Sequence, residues 1–177
     1  MGSLPPALFA VPVRRTETDE RFTPRWVFDG LGLHFDLDPC APLEGGDHVP
    51  TTRRYTRAAD GLAQTWHGLV WVNPPFSNAA PWARRFTAHG NGLWLGPVAN
   101  GAWWQELAAT AHRLWLCADF AFDSPTHAGK RSAMPLAFAA MGATATEALD
   151  RLAHSGRHRG LLVALTGFPG TGLVPDG

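Results

Sequence analysis

The stretch V-W-V-N-P-P-F-S-N, residues 70–78, joins an apolar run to an amide, two prolines and an aromatic ring. Proline has no backbone N–H, so a strand over the apolar run must end at the Pro-Pro pair. In open α/β sheets, ligands bind beyond the carboxyl ends of the strands. A proline-stiffened turn with a buried phenylalanine is one interpretation. The other is a site with hydrogen-bond acceptors beside a flat apolar face, formed by Asn73, Pro74, Pro75 and Phe76.

Three further segments fall where a predicted strand ends or a predicted helix begins. They are Thr23-Pro24, Asp38-Pro39-Cys40 and Asp60-Gly61-Leu62. Aspartate is a common turn residue, so Asp38 and Asp60 either cap turns or face a ligand. The elements around these segments decide whether they lie at one edge of a sheet.

Alternating strand and helix patterns place the four segments. Apolar runs predict strands over residues 34–37, 69–72, 93–98, 114–117, 136–141 and 161–165. Helix signals predict one helix capped by Thr23 and ended by Gly32, one from Ser77 or Asn78 to about 88, and two over 102–112 and 144–154. Residues 39–60 are predicted to be mostly loop, and 118–133 a long loop joining two strands. This order predicts an α/β domain with a mainly parallel sheet, helices on both faces and an antiparallel edge.

Length and composition indicate a single folded domain. The chain has 177 residues, of which 45% are hydrophobic and 17% charged, which excludes a disordered chain or a coiled coil. We predict an extended N-terminal arm over residues 1–21, the domain over 22–166 and a flexible Gly/Pro-rich tail over 167–177. The chain has no apolar run of membrane-spanning length and no Cys-x-x-Cys. Its start lacks the pattern of a signal peptide. These features predict a cytoplasmic protein without disulfides or a bound metal.

The formal net charge is zero, so attraction to a polyanion must come from local patches of basic residues. Fourteen arginines accompany a single lysine, and arginine suits bidentate contacts to phosphate. The pairs considered for such contacts are Arg53-Arg54 and Lys130-Arg131, for which solvated surface charge is the alternative.

Taken in order, the segments resemble a known enzyme family. The stretches F-T-P-R-W-V-F-D-G-L, F-D-L-D-P-C-A, A-D-G-L-A-Q-T-W and V-W-V-N-P-P-F, and more faintly A-W-W-Q-E-L and M-P-L-A-F-A-A, resemble DNA N6-adenine methyltransferases. They are most similar to the small Dam-like enzymes of phages and prophages. The resemblance implies a Rossmann-like methyltransferase domain that uses S-adenosylmethionine, acts on DNA and works in the cytoplasm of a bacterial or phage-infected cell.

The resemblance also implies roles for individual residues. The T-P segment, Phe22, Thr23 and Pro24, would hold the methionine part of the cofactor, and Asp38 with Pro39 and Cys40 would face the cofactor. Asp60 would accept from the adenine amino group of the cofactor, with Leu62 in the same segment. The usual Gly-x-Gly after the first acidic residue is replaced by Ala41-Pro42-Leu43. The ribose-binding acid is missing or displaced, with Glu44 and Asp47 as candidates.

The chemistry expected at Asn73 follows from the properties of adenine. Its exocyclic amine is a weak nucleophile because the nitrogen lone pair is delocalised into the ring. Two acceptors, Asn73 Oδ1 and the Pro74 carbonyl, would favour a pyramidal nitrogen, and Phe76 would stack on a base flipped out of the duplex. Cytosine N4 or a glutamine amide is an alternative acceptor. A non-catalytic DNA-binding module of the same fold is the alternative outside this class.

Overall fold

The computed structural model describes residues 21–123, 131–156 and 159–164. The predicted arm, apart from Arg21, lies outside these residues, as do the predicted tail and Lys130. Among the described helices, none is both long enough and apolar enough to cross a membrane.

The described residues form seven strands and four α-helices in mostly alternating order. The strands are β1 (Phe35–Asp38), β2 (Thr51–Arg54), β3 (Val70–Val72), β4 (Gly92–Pro97), β5 (Arg113–Cys117), β6 (Leu136–Met141) and β7 (Gly160–Ala164). The helices are α1 (Arg25–Leu31), α2 (Ala79–His89), α3 (Ala102–Thr110) and α4 (Ala143–His154). Single 3₁₀ turns lie at Arg57–Ala59 and Phe76–Asn78.

The strands form one sheet in the order β2-β1-β3-β4-β6-β5-β7. The first four strands in this order pair in parallel, whereas β4–β6, β5–β6 and β5–β7 pair antiparallel. The predicted α/β class, the mainly parallel sheet and its antiparallel side are therefore confirmed. The connection after β5 joins an antiparallel pair as expected, and β7 then forms the outer edge.

Helices cover both faces of the sheet, as predicted. Along β3, Trp71 packs into a core with α1 and α4, while Val70 and Val72 pack into a second core with α2 and α3. The same alternation runs along β4, where Leu93 and Leu95 face the first core and Trp94 the second. Successive side chains of a strand point to opposite faces, so a strand with helices on both sides is apolar throughout.

Two local predictions were wrong. Residues 39–60 are not mostly loop, because β2 lies within them and pairs in parallel with β1, with Leu37 opposite Arg53. The sequence T-T-R-R has no apolar alternation, since an edge strand has a neighbour on one side only. Thr23 is not the cap of α1: that helix begins at Arg25 after Pro24 and has no side-chain capping bond.

The strand order reverses direction between β1 and β3. The chain leaves β1 for β2 on one side and then crosses to β3 on the other side. Loops beyond the carboxyl ends of two such strands diverge and leave a crevice, which is where open α/β sheets bind ligands. Asp38 ends β1, and Asn73 follows β3 directly.

Candidate active site

The crevice between β1 and β3 contains residues from both predicted motifs. A cavity at this point is lined by Thr23, Asp38, Cys40 and Asn73, together with Arg21, Phe22, Pro42, Gly46, His48, Val49 and Trp71. Thr23 and Asp38 are the buried polar residues of the described part of the chain, each only 3% exposed. The structure thus brings together three segments that are far apart in sequence.

Asn73 is held in one orientation by its amide nitrogen. Nδ2 donates to the carbonyl oxygen of Arg21 at 2.8 Å and to Oγ1 of Thr23 at 3.2 Å. A carbonyl oxygen only accepts, so the amide nitrogen, and not the amide oxygen, must face Arg21. Oδ1 of Asn73 is buried and accepts no hydrogen bond from any described residue. An unpaired buried acceptor is costly, so an atom of this kind calls for a functional explanation.

The two prolines hold Asn73 and Phe76 on opposite sides of a rigid turn. Pro74 and Pro75 are both buried, and Pro75 is extended (φ −60°, ψ 123°) before the 3₁₀ turn that starts at Phe76. The ring of Phe76 packs against the core, with the Phe122 ring 5.7 Å away at 73°. The guanidinium carbon of Arg21 lies 4.3 Å from the centroid of the Phe76 ring.

Asp38 ends β1 and shapes the turn that follows. Its Oδ1 accepts from the backbone N–H of Cys40 at 3.1 Å, so this carboxylate is bonded within the Asp38-Pro39-Cys40 turn as well as facing the cavity. Thr23 contributes its carbonyl too, which accepts from Nε2 of His48 at 2.6 Å. His48 therefore carries a proton on Nε2, since a carbonyl cannot donate.

A second cavity lies beside the first and shares Cys40 with it. Its lining includes Pro39, Asp60, Leu62, Pro75 and Trp82, and it encloses about 620 Å³ of empty space, part of which is open to solvent. Ligand sites for small molecules typically range from about 300 to 1,000 Å³. The D-P-C and D-G-L segments are therefore walls of one continuous cleft, with the Pro-Pro turn beside it.

The D-G-L turn is built by close backbone approach. Asp60 has φ 49°, the one positive φ of a non-glycine residue in the described chain, and its side chain is exposed at the cavity. A Cβ added to Gly61 would lie 1.8 Å from the carbonyl oxygen of Pro39. Glycine is thus required where the two cofactor turns touch. Trp66 Nε1 donates to the Gly61 carbonyl at 2.8 Å and fixes the other side of the turn.

Two glycines stand near the expected glycine loop. Gly45 and Gly46 have φ 77° and 69°, and Gly46 is buried and lines the first cavity. Arg54 bonds to both of their carbonyl oxygens and forms an ion pair with Asp47, Nη1 to Oδ1, at 2.8 Å. The adjacent G-G pair, with positive φ at both positions, is the signal that sequence reasoning overlooked. Glu44 and Asp47, the candidate ribose-binding acids, are exposed, and Asp47 is engaged by Arg54.

The predicted DNA-contacting residues lie in separate places. Arg53 is exposed on β2 and Arg54 holds the glycine loop just described. Arg131 is exposed and pairs with Asp119, Nη1 to Oδ1, at 3.0 Å. Residues 118–123 nevertheless reach the site, because Phe22 and Asp123 exchange backbone hydrogen bonds of 3.1 and 2.9 Å.

Histidines and cysteines near the site have structural partners. His34 Nε2 lies 3.1 Å from Oγ1 of Thr52, and both Cys40 and Cys117 are buried free thiols. Within residues 21–123, 131–156 and 159–164, no group of three metal-ligating side chains comes together. Residues that sequence reasoning did not single out are Arg21, His48 and Phe122, all of which contact predicted site residues.

Comparison with known proteins points to one family. The sequence profile of the family described as DNA N-6-adenine-methyltransferase (Dam) matches residues 12–119, which include every predicted site residue except Lys130 and Arg131. The DNA N-6-adenine-methyltransferase of Haemophilus phage HP1 is 32% identical over 78 residues, covering 41% of this chain and 43% of the phage protein. The match thus spans less than half of that relative. No solved structure matches the chain. Since the profile covers more than half of its residues, the chain belongs to the DNA N-6-adenine-methyltransferase (Dam) family.

Proposed function

We propose that this protein transfers the methyl group of S-adenosylmethionine to N6 of adenine in DNA. The observation that carries the proposal is the buried, unpaired Oδ1 of Asn73 at the crevice between β1 and β3. This oxygen is an acceptor whose partner is not supplied by the described chain. An amino N–H of a substrate base is a partner of the right kind.

The two cavities fit the two halves of the cofactor. Thr23 and Asp38 offer a hydroxyl and a carboxylate to an α-ammonium group in the first cavity. Leu62, Pro75 and Trp82 offer apolar walls to an adenine ring in the second, with Asp60 as an acceptor for its amino group. When bound, S-adenosylmethionine supplies a methyl group on a positively charged sulfur. Cys40, which lines both cavities, lies where the two halves would join.

Asn73 and the prolines would prepare the amine for attack. Asn73 Oδ1 and the Pro74 carbonyl accept the two N–H bonds of adenine N6 and favour a pyramidal nitrogen whose lone pair faces the methyl group. The amide cannot rotate to present Nδ2 instead, because that nitrogen is bonded to Arg21 and Thr23. Preorganised acceptors of this kind need no rearrangement at the moment of transfer, which then depends on orientation.

Phe76 would hold the base after it leaves the duplex. The amino group of a paired adenine is inside the helix, so the nucleotide must be flipped to reach Asn73. Stacking on an aromatic ring contributes about 1–3 kcal/mol per base. Arg53, Arg54, Lys130 and Arg131 are the proposed contacts to DNA phosphates, of which Arg53 and Arg131 are exposed in the described chain.

The sheet order supports a Rossmann-like methyltransferase fold for residues 22–166. Parallel strands β1 to β4 place the crevice at a reversal of strand order, and the antiparallel strand β6 lies between β4 and β5. The glycines at 45 and 46 also weaken the alternative of a non-catalytic module, which rested on the absence of a glycine loop.

The test is expression in a bacterial host that lacks adenine methylation, followed by digestion of host DNA and mass spectrometry of the nucleosides. We expect N6-methyladenine with the parent protein and none with Asn73→Ala at equal expression. N4-methylcytosine in its place would assign the alternative base. Absence of both, together with no heat on calorimetric titration with S-adenosylmethionine, would identify a non-catalytic module and refute the proposal.

A further inference from the structure

We propose that Arg21 is a placeholder for the target base. Its guanidinium covers Phe76 until the base arrives, and it then leaves the ring for a DNA phosphate. The inference rests on the proposed function, since it assigns a partner to Phe76 in the state before DNA binds. It adds a residue that positions the base without taking part in methyl transfer.

Arg21 contacts both halves of the acceptor site. Its guanidinium carbon is 4.3 Å from the centroid of the Phe76 ring, and its carbonyl accepts from Asn73 Nδ2 at 2.8 Å. The other contacts of Phe76 are with the core, including the Phe122 ring. Arg21 therefore lies over a ring whose remaining surroundings are already filled by the core.

The oxygen that the base must reach is also closed to solvent. Asn73 Oδ1 is buried, so the structure as it stands does not admit an amino group to it. Some nearby group must move before a base can bind. The side chain of Arg21 is free to do so while its backbone stays fixed, because Phe22 is held to Asp123 by two backbone hydrogen bonds.

The chemistry of a guanidinium suits this exchange. It is planar and stacks on aromatic rings as a base does, so it keeps the Phe76 ring covered in the absence of DNA. A guanidinium and a base cannot occupy the same ring face together. Phosphate offers the displaced guanidinium a bidentate, charge-assisted partner, and a flipped nucleotide carries phosphates on both sides. Entry of the base and departure of Arg21 would thus be coupled.

The position of the guanidinium can be measured by NMR, because protons above an aromatic ring resonate upfield. The free protein with isotope-labelled arginine should show an upfield-shifted Arg21 side chain, and Phe76→Leu should abolish that shift and so assign it. Saturating oligo(dA), which presents adenine without a duplex to open, should also abolish it. A strand of the same length with abasic sites throughout carries the phosphates alone and should leave it in place.

Two other outcomes would overturn the proposal. Retention of the shift with oligo(dA) would mean that the base binds elsewhere. Loss of the shift with the abasic strand as well would make Arg21 an ordinary phosphate contact.

A charge-matched pair of variants tests where the guanidinium goes. Arg21→Gln should flatten the salt dependence of oligo(dA) binding by about 0.7 in slope, the value expected for one phosphate on a single strand. Arg25→Gln removes the same charge from the exposed start of α1, away from any aromatic ring in the described structure, and should leave the slope unchanged. Cofactor affinity should stay at the parent value in both variants. A drop in cofactor affinity with Arg21→Gln, without a change in slope, would make Arg21 a cofactor ligand.

These readouts do not depend on methyl transfer. If the parent protein binds oligo(dA) and releases Arg21 from Phe76 but forms no N6-methyladenine, the placeholder role stands and the proposed function fails. If it methylates DNA while Arg21 stays on the ring, the reverse holds.

Discussion

Asn73 donates from Nδ2 to the hydroxyl of Thr23 across 3.2 Å, although the two residues are 50 positions apart in sequence. This bond ties the loop after β3 to the segment that precedes α1. It also explains why Thr23 does not cap α1: its hydroxyl accepts from the amide of Asn73. The proposed cofactor segment thereby fixes the orientation of the proposed acceptor of the target amine.

The role of Asp60 can be tested without disturbing the turn. Its left-handed backbone (φ 49°) is tolerated by asparagine and glycine, whereas alanine would add strain. We expect S-adenosylmethionine affinity to fall from parent to Asp60→Asn to Asp60→Gly. Loss of one hydrogen bond to a charged group costs about 1.5–3 kcal/mol, which corresponds to roughly tenfold or more in affinity for the glycine variant. Calorimetric titration measures this series, and equal affinities in all three proteins would remove Asp60 from the site.

Gly61 is expected to be essential for bringing the two cofactor turns together. An added Cβ would meet the Pro39 carbonyl at 1.8 Å, a clash with backbone that no rotamer relieves. Gly61→Ala should therefore weaken cofactor binding and lower the thermal midpoint. Gly101→Ala is the control, since its nearest neighbour is the Trp103 side chain at 3.1 Å and this ring can shift. Similar effects of both substitutions would argue against a specific role for the Pro39–Gly61 contact.

Sequence patterns predicted the elements with strong periodicity and missed those set by tertiary contacts. The apolar runs of β3, β4 and β6 gave their positions because both faces of each strand are buried. Strand β2 was missed because T-T-R-R lies at a sheet edge with little buried surface. The Thr23 cap was wrong for a related reason, since a helix start is a local signal and Asn73 is a distant partner.

The site was predictable in its motifs and not in its internal contacts. Asp38, Asn73 and Thr23 were placed at one edge because strand ends converge there, and the structure brings all three into one cavity. The placement of Arg21 over Phe76 depends on how the chain before α1 crosses the sheet, which no periodicity encodes. The bonds of Arg54 to the glycine loop likewise arise from the parallel pairing of β2 with β1.

The connection between β5 and β6 is expected to contribute to DNA binding through Lys130 and Arg131. The Arg131–Asp119 ion pair has a guanidinium side that is 76% exposed, so exchange of Asp119 for a phosphate costs little. Replacing both residues with glutamine should reduce the salt slope of duplex binding by about 0.9 for each phosphate lost. Arg84→Gln on the exposed side of α2 is the control for charge alone. An unchanged slope in the double variant would place DNA elsewhere.

His112 is expected to make stability depend on pH. Its Nδ1 accepts from the backbone N–H of Gly142 at 3.0 Å, and burial, then the charge of Arg113, lowers its pKa in the folded state. Stability from this group is complete above the ordinary histidine pKa of about 6.5 and is lost as pH falls through the lower folded-state pKa.

Chemical denaturation of the parent and His112→Asn between pH 8 and 5 measures this effect. Asparagine keeps an acceptor near the position of Nδ1 and does not titrate. The difference in unfolding free energy should therefore shift towards the variant as the solution becomes acidic. A difference that does not vary with pH would show that His112 does not contribute through its protonation.

The central claim is that Asn73 Oδ1 receives the amine that becomes methylated. Its most direct test is single-turnover methylation of unmethylated adenine-containing DNA by Asn73→Ala, with cofactor titration of the same protein. Loss of a preorganised acceptor should lower the transfer rate by about 10²–10³, while cofactor affinity changes little because the cavity walls and the Pro-Pro turn remain. Methylation by Asn73→Ala at the parent rate would make the loop a structural turn and contradict the assigned chemistry.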